Sequence, residues 1–138
     1  MFLEFLNDSW YLFAALAMVL GMLGMTYLTQ MIYKIKTVNA AQAIGLINHD
    51  DAVVVDVCEP AEFQTGHLPN AINMPLTKLA GNLGALNKHK NKPIIIACRS
   101  GNRSVKGAIT LKKGGFDNVY SLAGGLVAWQ KENLPVER

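Results

Sequence analysis

The chain has 138 residues and a formal net charge of +3, enough for one domain and one further short segment. Its two cysteines, 40 residues apart, do not make a disulfide scaffold. There is no CxxC or HxxxH pair, and His49, His67 and His89 are scattered, so no metal and no other cofactor is expected. Residues 37–138 hold 11 Lys+Arg against 8 Asp+Glu, a mild excess that does not call for a nucleic-acid partner. The Lys88, Lys90 and Lys92 cluster reads as a solvated charged face, with contact to acidic lipid or nucleic acid as the other reading.

In chain order, residues 1–9 form a leader containing Glu4 and Asp8 and no basic side chain. Residues 10–33 are an uncharged run of 24, and about 20 apolar residues suffice to cross a bilayer as a helix. Trp10 and Tyr11 lie at one end and Tyr33 at the other, where amphipathic rings favour the membrane interface. A cleaved signal peptide would carry a basic n-region and a shorter apolar core. A single transmembrane helix is therefore expected. Lys34 and Lys36 follow it, so the positive-inside rule puts the N-terminus outside the membrane and the domain in the cytoplasm. The pair Ala17 and Gly21 would permit close approach of two helices, and the oligomeric state is left open.

Residues 34–38 read as a juxtamembrane linker and 39–138 as the domain. Asn39 is a candidate N-cap for a helix over 40–47. Residues 52–57 are a β-branched run without alternation, the pattern of a strand buried on both faces. A helical turn is expected over 60–64, a short strand over 71–73, and a helix over 76–86 weakened by Gly81 and Gly84. Ile94-Ile95-Ile96-Ala97 is a second wholly apolar strand. A helix over 104–113, a strand over 118–121 and a helix over 126–132 complete the domain. Strands and helices alternating at this spacing imply an α/β fold, a parallel sheet with helices on both faces.

In such sheets sites form at the carboxyl ends of strands, where Cys98 stands. The loop Arg99-Ser100-Gly101-Asn102-Arg103 offers successive backbone N–H groups, and Gly101 permits the turn that aims them inward. The following helix presents its positive end, and Arg99 and Arg103 add two cations. Together these favour a thiolate nucleophile over a thiol.

The segment Cys98-Arg99-Ser100-Gly101-Asn102-Arg103-Ser104 resembles the active loop of the rhodanese family. Asp56 to Phe63 and Gly66 to Pro75 are similar to that family's other recurring stretch, and Gly114-Gly115-Phe116, Leu122-Ala123-Gly124-Gly125 and Trp129 match downstream. With its anchor the chain resembles small bacterial inner-membrane rhodanese-like proteins. The resemblance implies a sheet of about five strands and transfer of sulfane sulfur, by way of a Cys98 persulfide, from a small anionic donor such as thiosulfate. The acceptor would be a thiophile or a protein thiol. It also implies that the loop amides stabilise the persulfide, that Arg99 and Arg103 attract the donor, and that Ser100 and Asn102 shape the entrance. The related cysteine phosphatases place five residues between Cys and Arg; here that position is Ser104, which sets phosphatase chemistry aside, while arsenate reduction is conceivable on this loop but nothing singles it out. A membrane-tethered interaction scaffold with little turnover is the alternative.

One residue departs from the family pattern. Cys58 stands where the family usually has an arginine. The fold implied by the resemblance makes its strand a neighbour of the Cys98 strand, so Cys58 is a candidate resolving thiol; a small packing residue is the other reading. Asp56 and His67 read as structural, and Trp129 as core.

Overall fold

The computed structural model describes residues 1–138, except for the side chains at positions 29 and 30. Two compact units divide the chain at Tyr33 and Lys34. In the first, α1 (Phe2–Asp8) and α2 (Trp10–Tyr33) are helices. α2 is long and apolar enough to cross a membrane, and its most apolar stretch buries nothing within the protein. Phe5 and Phe13 meet edge to face, with centroids 6.5 Å apart.

The second unit contains β1 (Lys36–Val38), α3 (Ala40–Asp50), β2 (Val53–Asp56), α4 (Pro60–Thr65), β3 (Ile72–Asn73) and α5 (Leu76–Leu79). A 3-10 segment (Ala80–His89) follows, then β4 (Ile94–Ala97), α6 (Asn102–Lys113), β5 (Val119–Leu122) and α7 (Gly125–Lys131). The five strands form one sheet in the order β1-β5-β4-β2-β3, every pairing parallel. β4 is central, with Ile95 opposite Val54 on one side and Tyr120 on the other.

The absence of alternation in the apolar runs follows from this arrangement. Val55, Ile94, Ile96 and Cys98 pack on one face with Leu79, Leu86, Ala108, Leu111 and Phe116. Val54, Ile95 and Ala97 pack on the other with Val38, Ala43, Leu126 and Trp129. A strand covered on both faces has no polar side to show. α6 lies so close to the sheet that a Cβ on Gly107 would stand 3.1 Å from both Ile96 and Val57.

The helix over 40–47 runs on to Asp50. Asn39 caps it in a reciprocal box, accepting the Gln42 amide at 2.8 Å while Gln42 Oε1 accepts the Asn39 amide at 2.9 Å. Its last turn is exposed and polar, so apolar periodicity ends before the helix does.

Two expectations are corrected. The linker over 34–38 contains a strand: Lys36, Thr37 and Val38 pair with Tyr120, Ser121 and Leu122. Only Val38 of the three is buried, so this edge strand leaves almost no pattern. The helix over 76–86 is one α-turn followed by the 3-10 segment, with Asn82 outside helical geometry at φ −123°. Flexible Gly81 and Gly84 flank that break, and a Cβ on either would touch nothing, so packing does not hold a regular helix there.

Ile95 is fully buried in the central strand. Ile95→Ala should lower unfolding stability by about 2–5 kcal/mol in urea titrations in detergent, with secondary structure retained in native buffer.

Candidate active site

β4 ends at Ala97, and Cys98 follows at the carboxyl end of the central strand. The register that pairs Asp56 with Ala97 continues through the Val57 amide, which donates to the Ala97 carbonyl at 3.0 Å. The chain then reverses. Gly101 takes φ +103°, a left-handed conformation that side chains resist, and its amide donates to Cys98 Sγ at 2.9 Å.

α7 holds the loop from behind. The Leu126 amide donates to the Cys98 carbonyl at 2.8 Å and the Val127 amide to the Arg99 carbonyl at 3.1 Å. A Cβ on Gly125 would collide with that Cys98 carbonyl. On the α6 side, Ser104 Oγ donates to the Gly101 carbonyl at 2.8 Å and shares a 2.8 Å hydrogen bond with Ser121 Oγ. Both serines are buried. The position that would carry a phosphatase arginine therefore holds a buried hydroxyl that braces the loop.

The arginines differ from one another. Arg103 makes a bidentate pair with Glu62, Nη1 to Oε1 at 2.6 Å and Nη2 to Oε2 at 2.9 Å. That pair drives the Glu62 carboxyl down to about 2 and raises Arg103 above its usual value. Arg99 donates to Thr65 Oγ1 at 3.1 Å, and its Nε lies 3.6 Å from Glu62. Its side chain is 47 % exposed against 35 % for Arg103. Of the two cations expected to attract a donor, Arg103 is committed to Glu62 and Arg99 is the more open. Ser100 and Asn102 are exposed around the mouth. Cys98 itself is 1 % exposed.

Cys58 is also buried and belongs to the same apolar cluster as Cys98. Burial and then the neighbouring Asp56 carboxylate push its thiol up to about 12. Asp56 Oδ1 accepts the Cys58 amide at 2.8 Å, and Asn73 Nδ2 donates to the Cys58 carbonyl at 2.9 Å. At neutral pH Cys58 is a thiol, the opposite of what a resolving nucleophile needs.

Asp56 is thus a strand-end brace. His67 stacks on Phe63 at 3.6 Å, and its Nδ1 lies 2.8 Å from the Phe63 carbonyl. Trp129 is buried and donates to the Pro135 carbonyl at 2.8 Å. Sequence reasoning missed Glu62, Thr65 and the α7 amides. The one signal for Glu62 was its place in the first turn of α4, inside the stretch after Asp56. Among the described residues no group of three or more His, Cys, Asp and Glu is placed to hold a metal.

A family described as Rhodanese-like domain matches residues 39–132. The chain belongs to that family. It is 42 % identical over 106 residues to the uncharacterized protein YibN of Escherichia coli (strain K12), covering 76 % of this chain and 74 % of that one. It is 34 % identical over 95 residues to thiosulfate sulfurtransferase GlpE of Pseudoalteromonas translucida, covering 69 % of this chain and 89 % of that one. A crystal structure of a rhodanese-related protein from Thermoplasma volcanium superposes with a TM-score of 0.67 at 31 % identity, over 74 % of this chain and 97 % of that one.

The Glu62 carboxyl sits at about 2 in the fold against an ordinary 4.5, so its pair with Arg103 stabilises above the ordinary value and fades as pH falls toward 2. Wild type should therefore exceed Glu62→Gln in stability by a constant margin near neutral pH. That margin should shrink between pH 4.5 and pH 2 when denaturation is followed in detergent across pH.

Proposed function

We propose that the protein is a membrane-anchored sulfurtransferase that carries sulfane sulfur on Cys98 at the cytoplasmic face. The observation that carries this reading is the Gly101 amide, 2.9 Å from Cys98 Sγ at the end of the central strand. An N–H bond to sulfur is stronger when the sulfur is anionic, as a thiolate or a persulfide is. Membership in the rhodanese-like family, and a relative named for thiosulfate sulfur transfer, support a transferase.

The chemistry takes two displacements. Cys98 thiolate attacks the outer sulfur of thiosulfate, the S–S bond breaks, and sulfite leaves with the electron pair. The acceptor then attacks the outer sulfur of the Cys98 persulfide and regenerates the thiolate. With cyanide as acceptor the product is thiocyanate; in the cell a protein thiol is the acceptor of choice, since Ser100 and Asn102 beside Cys98 are exposed for a partner to meet. Arg99 draws in the anionic donor, and Arg103 with Glu62 fixes the loop. Cys58, held as a thiol beside Asp56, is a packing residue.

Anchoring rests on the 24 residues of α2 and on Lys34 and Lys36 beyond it. The N-terminus then lies outside, and the thiol works in a reducing compartment.

Thiosulfate:cyanide kinetics on the full chain in detergent test the reading. Ping-pong patterns are expected, with turnover abolished in Cys98→Ser and kept within about twofold in Cys58→Ser, where no reacting group is lost. Equal turnover in wild type and Cys98→Ser would refute it.

A further inference from the structure

The strands are all parallel, so the domain has one end where strands begin and one where they finish. Cys98 and its loop occupy the finishing end. The beginning end is where the lysines gather. Lys36 opens β1, with Nζ 5.9 Å over the Tyr120 ring, and Lys34 precedes it. Lys88, Lys90 and Lys92 lead into β4, and Lys112 and Lys113 close α6. Contacts tie these segments together: Lys90 Nζ lies 5.5 Å over the Phe116 ring, Lys112 Nζ donates to the Asp117 carbonyl at 2.6 Å, and Lys92 pairs with Asp51 at 2.9 Å. His89 lines a cavity of about 290 Å³ with Asp51, Ala52 and Val53, which places the Lys88–Lys92 segment beside the start of β2.

Asp50, Asp51 and Asp117 stand at this end, and Glu137 accepts the Asn70 amide at 3.2 Å beside the same cavity, four acidic groups against seven lysines. Around the Cys98 loop, Arg99 and Arg103 are accompanied by Glu59 and Glu62. The positive surplus of the domain is therefore concentrated at the end remote from the reactive sulfur. Only Lys34 and Ile35 separate the last residue of α2 from β1, a tether that spans at most about 10 Å. That is about one Debye length at 0.1 M salt, within which charges still act on one another.

We propose that the strand-beginning end of the domain is a docking surface for anionic lipid headgroups, and that this contact directs the Cys98 mouth away from the bilayer. The inference rests on the anchored reading of α2 and fixes which partners that site can meet. Each lysine near an anionic leaflet gains about fivefold in occupancy. Four residues of β4 set the loop about 13 Å further from the lipid than the lysines. Sulfur donor and acceptor then arrive from the water and not from within the membrane.

The test is amide hydrogen exchange, read by mass spectrometry, on the full chain in nanodiscs of phosphatidylcholine alone or mixed with phosphatidylglycerol. At low salt, exchange over residues 87–92 and 112–118 should be about fivefold slower in the anionic discs, and high salt should abolish the difference. Residues 98–103 should exchange equally in both, and a Lys88→Gln/Lys90→Gln variant should lose most of the protection. Equal exchange in the two discs, or protection centred on 98–103, would overturn the proposal. Protection by added duplex DNA but not by anionic lipid would overturn it too, assigning the surface to nucleic acid. A chain that fails to stay with the discs refutes the anchor and the docking together. Thiosulfate:cyanide transfer in the same discs reports on the sulfur chemistry separately, so protection without transfer supports docking while contradicting the sulfurtransferase reading.

Discussion

The hydrogen bond from the Gly101 amide to Cys98 Sγ organises this domain's functional end. To aim an amide at a sulfur three residues earlier, the chain must reverse at the end of β4, which requires the left-handed φ that Gly101 adopts. The reversal aims the Cys98 and Arg99 carbonyls at α7, where unpaired they would cost free energy. The first amides of α7 satisfy both, and Gly125 lets that helix come close enough to do so. Ser104 and Ser121 close the opposite side. A hydrogen bond of this kind adds only about 1 kcal/mol to net stability. Its larger consequence is directional, because it aims one N–H group at the Cys98 sulfur.

Two buried cysteines at the same end of the sheet are thereby given opposite surroundings. Burial and then the adjacent Asp56 side chain raise the Cys58 thiol. Cys98 has an amide donor and, outside it, an Arg99–Arg103–Glu62 cluster that carries one net positive charge. Glu62 offsets one of the two guanidinium charges and ties Arg103 to α4. With Arg103 paired to Glu62, Arg99 is the more exposed of the two cations.

Much of this was legible in the sequence, for identifiable reasons. The runs before Asp56 and Cys98 lack alternation because both faces of the sheet are covered, so their strands were readable from composition alone. The loop was readable because its parts are contiguous from Cys98 to Arg103. β1 was hidden because three residues with one buried side chain leave no period to detect. The Glu62–Arg103 pair joins positions 41 apart, and the α7 amides reach back to Cys98 and Arg99 only once the sheet has assembled. Adjacency of strands makes Cys58 a candidate partner for Cys98. What decides its chemical state is the Asp56 carboxylate and burial, neither of which spacing reveals.

The central claim is that sulfur rests covalently on Cys98 and nowhere else. Intact-mass and peptide mapping of the full chain after thiosulfate, without any acceptor, test it most directly. One added sulfur atom per chain, located on Cys98 and removed by cyanide, is the expected result. A chain that gains no sulfur, or gains it on Cys58, would contradict the account.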